Sequence, residues 1–199
     1  MPGRWAPIGL LALQGDYAAH ARALAERGAA TREVRTSSDL AGLAGLVLPG
    51  GESTTMLTLM EGSDLGARLV AEIKGGLPVL ATCAGVILLA REVRLPPQRS
   101  LGVLDAVVER NAYGRQLDSA VVSLTVRDRD GLGTDALEGV FIRAPRVTAV
   151  GTSVEVLATR GDDPVLLRQG AILAATFHPE LTAGSPVVDL FARLVRAAG

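Results

Sequence analysis

A single cysteine stands where nucleophilic catalysis is feasible. Cys83 follows the apolar segment Pro78 to Thr82 and precedes a helix-like segment that begins at about Ala84. The small residues Ala81 and Gly85 flank it two positions away on either side, as a sharp strand-to-helix turn requires, because larger side chains would crowd the turn. The unpaired N–H groups at a helix start also favour a thiolate. The alternative is that Cys83 is a small buried apolar residue.

A histidine at the end of another apolar strand is the second candidate. His178 follows the segment Ala171 to Phe177 and is followed by Pro179 and Glu180. Proline restrains the residue before it to an extended backbone, so side chains 178 and 180 can point the same way. The carboxylate can then fix the imidazole tautomer while the other ring nitrogen faces a thiol. Alone, His-Pro-Glu is more simply an ordinary strand exit, and its occurrence together with Cys83 favours catalysis.

A glycine loop forms the third candidate. Gly50 and Gly51 follow an apolar strand and precede Glu52, Ser53 and Thr54. Two glycines can turn backbone N–H groups inward, so one N–H of this loop and that of Ala84 would make a two-donor oxyanion hole. The alternative is a plain turn in which Ser53 is the helix N-cap.

The first half of the chain must bring these segments to one edge of a sheet. Continuous apolar runs are typical of central parallel strands, and we predict strands at Ile8–Leu13, Ala30–Val34, Gly45–Leu48 and Pro78–Thr82. Helical patterns follow at Tyr17 onward, Thr54–Met60, Leu65–Lys74 and Ala84–Arg91. Strand and helix alternate four times, which predicts a mostly parallel sheet with helices on both faces, a three-layer α/β sandwich. The predicted helix after Gly15 carries His20, which we interpret as a surface or packing residue.

The second half is rich in strands and predicts an antiparallel extension of the sheet. Strand patterns occupy 103–109, 120–126, 139–143, 154–159, 165–169 and 171–177, and a helix is predicted over Pro186–Ala198. No segment has the composition of a linker, so we expect residues 1–199 to form one domain, with residues 1–7 as an N-terminal extension.

Composition excludes several classes of function. The 20 basic and 21 acidic side chains give a net charge of −1, and no block of five like charges occurs, so binding to nucleic acid or to an anionic membrane is not supported. One cysteine and two histidines exclude a disulfide framework and a multi-cysteine zinc site. The longest uncharged run, between Lys74 and Arg91, is too short to span a bilayer. We expect a cytoplasmic protein, because no signal peptide is apparent.

Together these segments resemble the glutaminase subunits of pyridoxal 5′-phosphate synthase, a family of class I (triad) glutamine amidotransferases. The resemblance runs from Ile8 to Val195 through ALQG (12–15), LPGGESTTM (48–56), TCAGVILLA (82–90), ERNAYGRQ (109–116), VFIRAP (140–145) and FHPELT (177–182). Cys-Ala-Gly and His-Pro-Glu are shared with other triad amidotransferases. GGESTTM, RNAYGRQ and FIRAP are more particular to this family, whose fold is flavodoxin-like.

The resemblance implies a mechanism. Cys83 would be the nucleophile, His178 the general base and acid, and Glu180 the residue that orients His178. It also implies that L-glutamine is held by Gly51, Glu52, Ser53, Arg110, Ile142 and Arg143. The N–H groups of Gly51 and Ala84 would form the oxyanion hole. The resemblance implies no metal and no cofactor. The product ammonia would pass to a synthase subunit within a large ring-shaped hetero-oligomer, and docking of that subunit would activate a weak glutaminase by reorienting the Gly50–Gly51 peptide.

Two other functions remain open at this stage. A different triad amidotransferase would feed ammonia to another acceptor. A non-catalytic scaffold or a thiol-dependent chaperone of similar sandwich fold would form no γ-glutamyl adduct on Cys83. The chaperone and peptidase group typically has a histidine after the cysteine, where this chain has Ala84.

Overall fold

The computed structural model describes residues 6–110 and 120–199. Its strands are β1 (Ile8–Leu11), β2 (Thr31–Val34), β3 (Gly45–Leu48), β4 (Val79–Thr82), β5 (Ala90–Arg94), β6 (Leu104–Glu109), β7 (Ala120–Val126), β8 (Ala136–Phe141), β9 (Arg146–Val150), β10 (Glu155–Arg160), β11 (Asp163–Gln169) and β12 (Ile172–Ala175). Its α-helices are α1 (Tyr17–Ala25), α2 (Ser53–Met60), α3 (Leu65–Lys74), α4 (Ala84–Leu89), α5 (Arg129–Leu132) and α6 (Pro186–Ala198). The predicted bounds of β3, α3, β7 and α6 are confirmed.

A nine-stranded sheet forms the centre of the fold, in the order β2-β1-β3-β4-β12-β11-β10-β7-β8. The first five strands in this order are parallel to one another. Every residue of β1, β3, β4 and β12 is buried, which explains their uninterrupted apolar sequences. The remaining four strands pair antiparallel. The predicted parallel sheet with an antiparallel extension is therefore confirmed.

Helices cover both faces of this sheet. Alternate residues of β1 divide between the faces, as the pleat requires: Ile8 and Leu10 pack with α1 and α6, whereas Leu11 packs with α2, α3 and α4. This arrangement is the three-layer sandwich that the sequence predicts. Within the part of the chain that is described, no helix is both long and apolar enough to cross a membrane.

A second, three-stranded sheet, β5-β6-β9, corrects the sequence analysis at two places. The helix predicted to reach Arg91 ends at Leu89, and the chain continues as β5, which pairs parallel with β6. All six residues of α4 are buried, so no amphipathic period marks where the helix stops. Strand β9 is absent from the predicted strands, because Val147 is its only buried residue and the pattern is consequently weak.

The C-terminal helix α6 shows how strongly packing fixes this arrangement. Pro186 occupies its first turn, where a missing N–H costs nothing. Val187, Leu190, Phe191 and Val195 recur at helical spacing and are buried against the sheet.

Replacing Phe191 by alanine tests this packing. Phe191 is fully buried, so Phe191→Ala should lower the free energy of unfolding by about 3–5 kcal/mol. Urea denaturation followed by circular dichroism measures it. Leu59→Ala is the control, because Leu59 is 52% exposed and surface changes stay within about 0.5 kcal/mol. Equal stability of Phe191→Ala and the native chain would contradict the packing described.

Candidate active site

Cys83 lies at a strained turn between β4 and α4. Its backbone has φ 47° and ψ −105°, a conformation that costs free energy for a residue with a side chain and that occurs at functional sites. The N–H of Cys83 donates to the carbonyl oxygen of Ala175, at 2.8 Å. An added Cβ on Gly85 would collide with the carbonyl oxygen of Leu48, so the turn needs a small residue there. The predicted sharp strand-to-helix turn at Cys83 is confirmed.

His178 and Glu180 lie just after β12, the strand that pairs with β4. His178 has φ −108° and ψ 82°, and Pro179–Leu181 form a 3-10 turn. The Nδ1 of His178 donates to the Oε1 of Glu180 at 2.8 Å. The prediction that side chains 178 and 180 meet is confirmed. This bond leaves the Nε2 of His178 as the ring nitrogen for other chemistry.

At His178 and Glu180, charges and hydrogen bonds outweigh the effect of burial on the pKa. Burial alone would lower the pKa of His178, but hydrogen bonds to Cys83 and Glu180 and their charges raise that pKa to about 10. Burial alone would raise the pKa of Glu180. The charge of His20 and the hydrogen bond from His178 lower that pKa to about 2, and the hydrogen bond with His20 and the charge of His178 add smaller effects in the same direction. The pair therefore favours a protonated imidazole beside an ionised carboxylate near neutral pH.

A cavity of about 220 Å³ opens over Cys83 and His178. Such a volume suits a ligand smaller than the drug-sized molecules that need roughly 300–1,000 Å³. The structure brings together every residue predicted to hold glutamine, and the lining consists of Asp16, Gly50, Gly51, Glu52, Ser53, Cys83, Ala84, Ile87, Arg110, Ile142, Arg143 and His178. Glu180 does not line the cavity and lies behind His178.

Two glycines allow the loop after β3 to approach the catalytic side chains. An added Cβ on Gly50 would collide with the Cε1 of His178 and would lie 3.3 Å from the Cβ of Cys83. Gly51 has φ +151°, and an added Cβ there would collide with the Oε1 of Gln14. The same oxygen accepts the N–H of Glu52 at 2.6 Å. Gln14 thus fixes the loop whose N–H groups are candidates for the oxyanion hole.

Ser53 does not cap the helix that follows this loop. The N-cap of α2 is Glu52, and the hydroxyl of Ser53 instead donates to the Oε1 of Gln98, at 3.1 Å. The plain-turn alternative, in which Ser53 is the N-cap, is therefore wrong in that detail.

Positively charged, negatively charged and neutral polar groups surround the mouth of the cavity. Arg143, which has a strained φ of 45°, pairs with Glu52 at 2.7 Å between Nη2 and Oε1. Arg110 donates to the hydroxyl of Thr54, at 3.1 Å. The Sγ of Cys83 is 3.8 Å from the carbonyl oxygen of Ile142. Two guanidinium groups and two carboxylates, including Asp16, match a zwitterionic ligand.

Sequence reasoning missed three residues near this site. Gln14 and Asp16 follow β1, and the rule that parallel strands end at one edge could have pointed to them. His20 is 1% exposed, so the surface interpretation is wrong and the packing interpretation is correct. Its Nε2 lies 3.1 Å from the hydroxyl of Thr82 and 3.4 Å from the Oε1 of Glu180. No local pattern indicates a contact between residues this far apart in sequence.

Of the ERNAYGRQ segment, residues 111–116 lie outside the described residues. Among residues 6–110 and 120–199, no three His, Cys, Asp or Glu side chains converge to hold a metal ion.

Solved structures share this fold. A crystal structure described as a glutamine amidotransferase is 45% identical, with a TM-score of 0.87 over 95% of this chain and 98% of its own. A putative GMP synthase protein from Thermoplasma acidophilum has the same fold, with a TM-score of 0.72 over 98% of this chain and 96% of its own at 19% identity.

Sequence relatives define the family. The profile of the SNO glutamine amidotransferase family matches residues 10–197. The pyridoxal 5′-phosphate synthase subunit PdxT of Parafrankia sp. is 53% identical over 96% of this chain and 93% of its own length. The PdxT subunit of Thermotoga maritima is 50% identical over 88% of this chain and 92% of its own length. The chain belongs to the SNO glutamine amidotransferase family.

The shifted carboxylate makes stability depend on pH. Because the pKa of Glu180 falls from 4.5 to about 2 on folding, its stabilising contribution is complete above pH 4.5 and is lost between pH 4.5 and 2. The difference in unfolding free energy between the native chain and Glu180→Gln should shrink over that range in urea denaturation. Glu61→Gln, at a carboxylate that is 60% exposed, should show little pH dependence. A constant difference for Glu180→Gln would contradict the shift.

Proposed function

We propose that this chain hydrolyses L-glutamine to L-glutamate and ammonia, as the glutaminase subunit of a pyridoxal 5′-phosphate synthase. The observation that carries the proposal is the set Cys83, His178 and Glu180. The first two line a cavity sized for an amino acid, and His178 is hydrogen-bonded to Glu180. The names of the PdxT relatives support the synthase assignment.

In the first step, the Sγ of Cys83 attacks the side-chain carbonyl carbon of glutamine. The N–H groups of Gly51 and Ala84 stabilise the oxyanion, because both residues line the cavity beside the sulfur. The proton that the thiol gave up is held on the Nε2 of His178. His178 transfers it to the amide nitrogen as the C–N bond breaks, and ammonia leaves a γ-glutamyl thioester.

In the second step, the same imidazole becomes a base. The hydrogen bond and the charge of Cys83 are among the causes that raise the pKa of His178, and acylation of the sulfur removes both. The pKa of His178 then falls, so its Nε2 can take a proton from water as the water oxygen attacks the thioester. The C–S bond breaks, glutamate leaves, and Glu180 keeps the ring oriented throughout.

Substrate specificity follows from the charges at the cavity mouth. Arg110 donates to a neutral hydroxyl, so its positive charge can bind the α-carboxylate of glutamine. Glu52 is already paired with Arg143, and its carboxylate can also accept the α-ammonium. Ser53 and Ile142 complete the lining.

The ammonia passes to the synthase subunit in a large ring-shaped hetero-oligomer of the cytoplasm. The chain from residue 1 to residue 199 acts as one glutaminase domain and uses no cofactor of its own. Docking of the synthase subunit completes the oxyanion hole by reorienting the Gly50–Gly51 peptide, which two glycines permit.

Glutamate release tests the proposal. The purified chain is assayed with L-glutamine, with and without the matching synthase subunit, both for the native sequence and for Cys83→Ala. The synthase subunit should increase turnover of the native chain. Cys83→Ala should lose activity by at least about a thousandfold, because no other thiol can form the thioester.

Each result decides between functions. Native turnover retained by Cys83→Ala would overturn the mechanism. Cysteine-dependent turnover that does not respond to the synthase subunit would favour an amidotransferase for another acceptor. No turnover in any mixture of folded proteins would favour the scaffold.

The role of Arg110 makes a separate prediction. Arg110→Gln should raise the KM for glutamine about ten- to a hundredfold with a smaller change in kcat, because a charge-assisted hydrogen bond to the α-carboxylate is lost. Arg99→Gln is the matched control, since Arg99 is 82% exposed and pairs with Glu61 away from the cavity. An unchanged KM for Arg110→Gln would contradict the assignment.

A further inference from the structure

His20 contacts the back of the catalytic set, and the mechanism above gives it no role. It lies on α1, is 1% exposed and does not line the substrate cavity. Its Nε2 approaches two oxygens, the hydroxyl of Thr82 at 3.1 Å and the Oε1 of Glu180 at 3.4 Å. A histidine that only filled space would need neither contact.

Glu180 depends on few partners for its orientation. Its Oε1 accepts from the Nδ1 of His178 at 2.8 Å. Its other oxygen, Oε2, is buried and finds no hydrogen-bond donor among the residues that the structure describes. With His178 as its only partner, the carboxylate could turn about its Cγ–Cδ bond together with the imidazole. His20 supplies the second, fixed contact.

We propose that His20 is a positioning residue that anchors Glu180, and through it His178, to the strand that carries the nucleophile. The inference rests on the glutaminase function proposed above. The contacts run from His178 to Glu180, then to His20, then to Thr82, which directly precedes Cys83. These contacts connect the imidazole of His178 to the end of β4, so they restrict how far the imidazole can move relative to the sulfur of Cys83.

The anchor fits the layout of the elements. β4 and β12 are neighbours, and Thr82 is paired in register with Ala175, but Glu180 lies beyond that pair, in a turn outside the sheet. α1 contacts this turn, and His20 bridges from the helix to both the turn and the strand end. Helix α1 thereby has a function in catalysis as well as in covering the sheet.

Two replacements of similar size separate positioning from packing. His20→Gln keeps a side-chain N–H donor at a similar reach, whereas His20→Met fills the same space with no donor. Assayed with the synthase subunit, His20→Met should lower kcat about tenfold with KM within about twofold, and His20→Gln should retain kcat within about threefold. Thr82→Val, which removes the hydroxyl alone, should lower kcat by about threefold.

A second measurement needs neither glutamine nor the partner. Cys83 is the only cysteine of the chain, so alkylation by iodoacetamide at pH 7 reports the reactivity of its sulfur alone. A loosened Glu180 holds the imidazole of His178 beside the sulfur less firmly, so His178 assists the reaction of the sulfur less well. Alkylation should therefore slow several-fold in His20→Met and stay near the native rate in His20→Gln.

The control is Leu24→Val, a change at a buried apolar residue one turn further along the same helix. It should lower the unfolding temperature without changing kcat or the alkylation rate. Equal kcat and alkylation in His20→Met and His20→Gln, both folded, would overturn the proposal. If His20→Met does not fold, native kcat and alkylation in Thr82→Val would also overturn it. If the native chain shows no turnover yet alkylation still separates the pair, the glutaminase function fails and the anchor stands.

Discussion

The pairing of β4 with β12 is the constraint on which the site depends. These strands are distant in sequence, yet they lie side by side in parallel, with Ala81 opposite Ala174 and Thr82 opposite Ala175. The N–H of Cys83 continues this pairing to Ala175. Because parallel strands end at the same edge, the nucleophile and the segment that carries His178 emerge together. Without this register, the thiol of Cys83 and the imidazole of His178 would not lie at one site.

Around that pairing, the fold concentrates features that would be unfavourable elsewhere. Cys83 and Arg143 have strained backbones, a carboxylate is buried beside two imidazoles, and a loop approaches so closely that Gly50 admits no side chain. Packed elements hold each of these in place: fully buried strands on one side and the 3-10 turn after β12 on the other. The extensive apolar core compensates for the strain.

The sequence predicts the layers, the strand-to-helix turn at Cys83 and the meeting of His178 with Glu180, because each depends on local patterns. Apolar runs define buried strands, and a proline fixes the geometry of its neighbour. The end of α4 could not be predicted, since a helix that is buried all round has no polar face. Strand β9 was missed because only Val147 is buried in it. The contacts of Gln14 and His20 come from the tertiary arrangement, and periodicity carries no information about them.

The strand β8 ends the nine-stranded sheet, and its position protects the site from another hazard. An edge strand with free carbonyl groups is a template on which a second molecule can add a strand and aggregate. Here the carbonyl oxygen of Val140 accepts the N–H of His178 at 2.8 Å, and Phe141 packs on Phe177 with ring centroids 5.6 Å apart. A strand added at this point would first have to displace the segment after β12 that carries His178. Resistance to aggregation and retention of the active geometry are thus tied to the same few atoms.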